Sequence, residues 1–171
     1  MKKKFVASAA IICLVLVTTF AKAQLPKALV FGNFTVANPQ GDFKNSYANG
    51  NGFEIGGGLG LGKILLTAST GIINYNPQVA AAGNYKVVPV KAGARVYLIG
   101  KLFVNAQAGI AFQSFEKSNI TGNTFLYELG TGVKVLHLIE IGAAYTSFKS
   151  AGVSGITNNA LLLKAGFSIK L

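Results

Sequence analysis

Residues 52–63 read GFEIGGGLGLGK, and two chemistries compete for them. From Gly57 to Lys63 the spacing is that of a phosphate-binding loop, with four residues between a glycine and a Gly-Lys pair. Such a loop needs Ser or Thr after the lysine, whose hydroxyl holds magnesium, and it opens a helix. Here Ile64 follows, then LLTASTGIINY, which has no helix cap and much β-branching. The other reading is a strand. Phe53, Ile55, Leu59 and Leu61 then share one face, and Glu54, Gly56, Gly58 and Gly60 share the other. The glycines have to be explained by what lies on that second face.

The rest of the chain favours the strand. It has 171 residues, enough for one domain. Residues 1–23, MKKKFVASAAIICLVLVTTFAKA, open with three lysines, continue with an apolar run from Phe5 to Phe20 and close with Ala21-Lys22-Ala23. This is the pattern of a secretory signal peptide cleaved before Gln24, and the run is short of the ~20 residues a spanning helix needs. The expected mature domain is 24–171. It contains no cysteine, so an exported fold of this kind closes without disulfides. Removing the signal lowers the formal charge from +11 to +7. The remaining lysines are spread singly, which does not suit a nucleic-acid partner, and anionic lipid phosphates are the better counter-charge. Hydrophobic residues make up 51% of the chain and the mean hydropathy is +0.47. Yet no mature segment is a long apolar run. Apolar residues are interleaved with Gly, Ser, Thr, Asn and single charges, as in a membrane β-barrel.

Eight segments read as strands: 27–37, 52–62, 63–75, 85–99, 101–114, 124–136, 137–148 and 159–171. Their connections alternate. Residues 38–51, 76–84, 115–123 and 149–158 are long and polar, whereas the links near Gly62-Lys63, Gly100-Lys101 and Leu136-His137 are tight. Short turns on one side and long loops on the other, with an even strand count, are the plan of an outer-membrane barrel. The expected fold is therefore all-β: an eight-stranded antiparallel up-and-down transmembrane β-barrel after a cleaved signal peptide.

Face sorting gives the site. In 159–171, Leu161, Leu163, Ala165, Phe167 and Ile169 oppose Leu162, Lys164, Gly166, Ser168 and Lys170. In 85–99, Val88, Val90, Ala92, Ala94 and Val96 oppose Lys91, Gly93, Arg95 and Tyr97. One face carries no charge at mid-strand. The other carries Glu54, Lys91, Arg95, Glu128, Lys134, Glu140 and Lys164. We expect these seven to form a structural charge network inside the lumen, since a charge enclosed in low dielectric has to be paired or hydrated. An eight-stranded interior is just wide enough to be filled by side chains. The lumen glycines, Gly56, Gly58 and Gly60 among them, would make room for the long ones. A one-residue slip would put Lys91 or Arg95 into hydrocarbon, at about 2–4 kcal/mol each near the midplane, which pins the register. Tyr75, Phe112, Phe115, Phe125, Tyr127, Tyr145 and Phe148 fall near strand ends that join long loops, where an aromatic girdle is expected.

At this point the chain from about Lys27 to Leu171 resembles the small eight-stranded outer-membrane barrels, the group containing OmpX and the membrane domain of OmpA. The resemblance rests on strand count, loop alternation and the closing strand ALLLKAGFSIKL. Two departures are Leu171 in place of a terminal Phe, and Pro89 inside the fourth strand, where a lost ladder bond would mark a bulge. The resemblance implies export to the bacterial outer membrane and partners in outer-membrane lipid, lipopolysaccharide and the barrel-assembly machinery. Loops 38–51 and 149–158 would meet any extracellular ligand.

Chemistry beyond this is sparse. His137, the one histidine, falls in a tight turn at the end opposite the long loops, without local Ser or carboxylate partners. The acids show no calcium-loop spacing. No catalytic residue, metal or cofactor is expected. The leading expectation is a non-enzymatic outer-membrane barrel with a filled, charged lumen and four surface loops. The alternatives are a soluble exported lipocalin-like lipid-binding barrel, a lipid A-modifying enzyme and a narrow ion pore.

Overall fold

The computed structural model describes residues 26–78, 83–117, 120–151 and 155–171. The expected signal segment 1–23 lies outside them. The described residues form eight strands, β1 (Pro26–Gln40), β2 (Tyr47–Leu61), β3 (Ile64–Pro77), β4 (Tyr85–Tyr97), β5 (Leu102–Phe115), β6 (Thr121–Lys134), β7 (Ile139–Lys149) and β8 (Thr157–Lys170). Each pairs antiparallel with the next, and β8 returns to pair with β1, so the sheet closes into a barrel in sequence order. Closure removes the unpaired edges that an open sheet would expose.

The tight links lie where the sequence places them. Gly62 has φ 59°, as has Gly100. That is the left-handed region glycine enters without a Cβ penalty, and the first position of a two-residue hairpin turn often requires it. Lys101 and the β6–β7 link at residues 135–138 complete the same end, called here the turn end.

The opposite, loop end differs most from the sequence expectation between β1 and β2, while β6 begins at Thr121 and β8 at Thr157, a few residues earlier than expected. Residues 38–51 are not a long loop. β1 runs on to Gln40 and β2 begins at Tyr47, with only Gly41 and a one-turn helix α1 (Asp42–Ser46) between them. The polar run ANGNG at 48–52 is strand, with a register shift between Tyr47 and Gly50. Polar residues beyond the apolar band of the outer wall still complete a ladder, because pairing is a backbone property. The expected bulge at Pro89 is also absent. β4 keeps one register with β3 from Ile64↔Val96 through Tyr75↔Tyr85, and one with β5 through Pro89↔Ala111. The proline interrupts pairing locally without displacing the strand.

Glycine placement shows how so narrow a barrel is filled. A Cβ on Gly56 would strike the Phe31 ring, the Ala68 carbonyl and Ser69. Phe31 is buried in the lumen and rests where that side chain would be. We expect Gly56→Val to cost about 1–3 kcal/mol, the usual range for overpacking. Equilibrium urea unfolding in detergent micelles, followed by tryptic resistance, measures it. A variant as stable as the parent would mean that the lumen is loosely filled there.

Candidate functional site

The polarity of the barrel is inverted relative to a soluble protein. Large apolar side chains stand on the outer wall of every strand, among them Val30, Ile55, Leu66, Val90, Ile110, Leu129, Ile141 and Leu163. The buried polar and charged residues include Glu54, Lys91, Arg95, Glu128 and Glu140. A soluble monomer rarely exposes more than a few hundred Å² of contiguous apolar surface, and here such surface girds all eight strands.

Inside, the lumen is layered. At mid-height Lys91 Nζ contacts Glu54 Oε2 at 3.2 Å and Glu128 Oε2 at 2.6 Å. Lys164 Nζ contacts the same two carboxylates, Glu54 Oε2 at 2.7 Å and Glu128 Oε1 at 2.5 Å. The four residues come from β2, β4, β6 and β8. Taken round the axis, they form a closed ring of alternating sign. Even strands supply the charges because side chains from alternate strands of a small barrel meet at one level, while the intervening strands pair uncharged residues with them, Asn33, Ser69, Gln107 and Gly142 among these.

A second ionic contact lies nearer the turn end. Arg95 Nη1 donates to both oxygens of Glu140, at 3.2 Å and 3.0 Å. Ser168 Oγ donates to Glu140 Oε1. The guanidinium also lies over two aromatic rings, 4.8 Å from the centre of Phe31 and 4.2 Å from that of Phe103, a cation–π geometry. Three carboxylates thus meet three cations and the described lumen is neutral. A polar cavity of about 30 Å³ beside Arg95, Asn33, Asn105 and Gln107 is large enough for one or two water molecules.

Of the seven residues singled out in the sequence, the structure brings six into these two groups. Lys134 is the exception. It sits at the end of β6, half-buried, directly across from Glu140 in the register. Its ammonium nevertheless donates to the Ser168 carbonyl at 3.1 Å, because Arg95 and Ser168 occupy the Glu140 carboxylate.

Apolar layers close both ends. Toward the turns, Leu29, Phe31, Leu65, Tyr97 and Phe103 form one cluster. Toward the loops, α1 turns Phe43 into the barrel mouth, where it is buried. Its ring packs edge-on against Tyr75 at 4.8 Å and Tyr85 at 5.9 Å, and against Tyr47 and Phe148. Phe115 stacks on Tyr85 at 4.5 Å. This plug corrects the expected girdle. Tyr75, Phe115 and Phe148 turn inward, whereas Phe112, Phe125, Tyr127 and Tyr145 stay on the outer wall. Tyr85 Oη donates to Gln113, which in turn donates to the Lys149 carbonyl at 2.9 Å and accepts from Ala151 N at 2.9 Å. The plug is therefore tied to the start of the β7–β8 loop. Phe43 had no signal in the sequence, since a single aromatic in a polar, non-periodic stretch has no face to be assigned to.

His137 is exposed in the β6–β7 turn. Among the described residues no group of His, Cys, Asp and Glu is placed to hold a metal.

The fold defined by this geometry, a closed eight-stranded up-and-down barrel with an apolar outer wall, is that of the small outer-membrane barrels. No family model matches the sequence, and no curated protein matches it. Among solved structures, the chain is similar to Ail, the attachment invasion locus protein of Yersinia pestis, with a TM-score of 0.59 at 14% identity over 84% of this chain and 99% of that one. It is similar to Neisserial surface protein A, TM-score 0.59 at 14% identity over 85% and 97%. It is also similar to the N-terminal β-barrel domain of OprF from Pseudomonas aeruginosa, TM-score 0.55 at 14% identity over 85% and 98%.

Proposed function

We propose that this chain is an integral barrel of the bacterial outer membrane that anchors its loops at the cell surface, catalyses no reaction and forms no open pore. The observation that supports this best is the inversion of polarity: aliphatic side chains on the outside of all eight strands, and a neutral ring of ion pairs within. A lipocalin-like carrier needs the reverse, an apolar lumen and a wettable wall. Its buried charges would leave no room for an acyl chain.

The layered interior argues against conduction. An ion would have to pass an aromatic plug, a ring whose carboxylates and ammoniums already satisfy one another, and a second apolar layer. A lipid A-modifying role has no chemical basis in His137, which is remote from the loop end and, among the described residues, has no ion-pair or hydrogen-bonded orienter. The parts that would meet a surface partner are the β3–β4, β5–β6 and β7–β8 connections, together with the tip at Gly41 and α1. β8 is the segment the assembly machinery would read.

Fractionation and gel migration test the reading together. The protein should sediment with outer membranes, and the unboiled form should migrate faster than the boiled one in SDS. In planar bilayers it should give no stepwise conductance, and Phe43→Ala alone should not create any, because two further barriers remain. Recovery wholly in a detergent-free soluble fraction would sink the reading. Conductance abolished by neutralising Lys91 and Arg95 would instead establish the pore.

A further inference from the structure

Five lysines crown the turn end: Lys27, Lys63, Lys101, Lys134 and Lys170. Four are tethered in the same manner. Lys27 Nζ donates to the Gly62 carbonyl at 3.1 Å, Lys63 to Leu98 at 3.2 Å, Lys101 to Val135 at 3.3 Å and Lys134 to Ser168 at 3.1 Å. Each reaches a carbonyl of a neighbouring turn or strand end, so the tethers run round the mouth in one direction. Lys170 lies over the Tyr97 ring at 4.3 Å, and the like charges of Lys27 and Lys134 act on it. An ammonium has three donors. Each tether uses one and fixes the position of the charge, leaving two N–H groups for an anion.

No side-chain carboxylate neutralises this ring. The chain has five acids. Glu54, Glu128 and Glu140 are consumed in the lumen, and Asp42 and Glu116 stand at the loop end. A terminal carboxylate on Leu171, at the same mouth, would offset one of the five charges. The loop end, by contrast, mixes Lys44, Lys86, Lys117 and Lys149 with both remaining acids.

The turn tips between the lysines are aliphatic. Leu98, Ile99, Leu136 and Leu138 are exposed, Ile99 by 83%. Aliphatic tips beside tethered ammoniums match one environment well, the boundary between acyl chains and phosphates, where long basic side chains reach up to the headgroups. A polysaccharide or nucleic-acid partner would use the charges and leave Ile99 and Leu136 wet.

We propose that the turn-end mouth is a ring-shaped docking surface for the phosphates of anionic phospholipid in the leaflet it faces. This deepens the membrane reading above and rests on it. The ring selects headgroups by charge, and the aliphatic tips set the depth at which the ammoniums meet them.

The test uses the barrel refolded into phosphatidylcholine vesicles containing a minor fraction of phosphatidylglycerol, with trace spin-labelled lipid of either headgroup. The immobilised fraction should favour phosphatidylglycerol about fivefold, the factor carried by roughly one lysine's worth of surface attraction. The preference should fall toward unity in molar salt, where the screening length is about 3 Å. Lys63→Gln/Lys101→Gln/Lys170→Gln should abolish it and keep the heat-shifted gel mobility of a folded barrel. Lys44→Gln/Lys86→Gln/Lys149→Gln should leave it intact, and inorganic phosphate should not displace the lipid. Insertion with no headgroup preference, or loss of preference in the loop-end variant alone, overturns this proposal and spares the membrane reading. Failure to insert into either lipid overturns both.

Discussion

Replacing Glu128 by glutamine should destabilise the barrel by about 3–5 kcal/mol, the usual cost of removing one partner from a buried ion pair. Glu128 is 1% exposed and is shared by Lys91 and Lys164. Its loss leaves two ammoniums with one carboxylate, Glu54, in a space whose small cavity holds no more than one or two waters. The barrel wall cannot relax to admit bulk water without breaking the closed ladder, so the uncompensated charge remains enclosed. Glu128→Gln/Lys91→Met restores neutrality and should recover most of the loss. Urea unfolding in vesicles, read as a double-mutant cycle over the four proteins, measures both the cost and the coupling. A single-variant loss under about 1 kcal/mol, the level of an exposed pair, would show that the lumen is wet.

The adjacent residue gives the opposite experiment. Leu129 follows Glu128 on β6 and points outward, 56% exposed. In a bilayer, Leu129→Arg should cost about 2–4 kcal/mol, the midplane penalty for an arginine on a barrel wall, whereas Val135→Arg near the turn end should cost about 0–1 kcal/mol. In detergent-free water both substitutions would be harmless or would improve solubility. Unfolding of each variant in vesicles therefore reports depth as well as environment. Equal effects at the two positions would mean that the apolar wall faces something other than a lipid slab.

Much of this barrel can be read from the chain because period two is strict at mid-strand. The alternation around Lys91, Glu128 and Lys164 assigns their faces without knowledge of any neighbour. Pairing, height and the loop-end tip escape it. Pairing within the lumen depends on the stagger between strands, so the sequence names the charges without naming who meets whom. Height also matters: Lys134 has the parity of a lumen residue, but it sits at a strand end where backbone carbonyls and solvent replace a carboxylate partner. The aromatic misreading is more instructive. Tyr75 shares parity with Leu65 and Ser69, Phe115 with Gln113, and Phe148 with Glu140 and Thr146, so each belongs inside on alternation alone. Proximity to loops suggested a girdle instead. Parity is fixed by the pleat, and a tendency of composition does not overrule it. Phe43 and the strand character of 47–52 had no such rule to draw on, since register there is set by the barrel as a whole.

The alternating ring bears on how the wall is put together. Each successive hairpin, β1–β2, β3–β4, β5–β6 and β7–β8, brings one member: negative, positive, negative, positive. Within the ring, a curling sheet of three hairpins therefore leaves Glu54 and Glu128 sharing Lys91 alone, and only the fourth supplies the second ammonium. Lys164 of that last hairpin reaches back 110 residues to Glu54 of the first, so the clasp across the β1–β8 seam fastens only when the cylinder is whole.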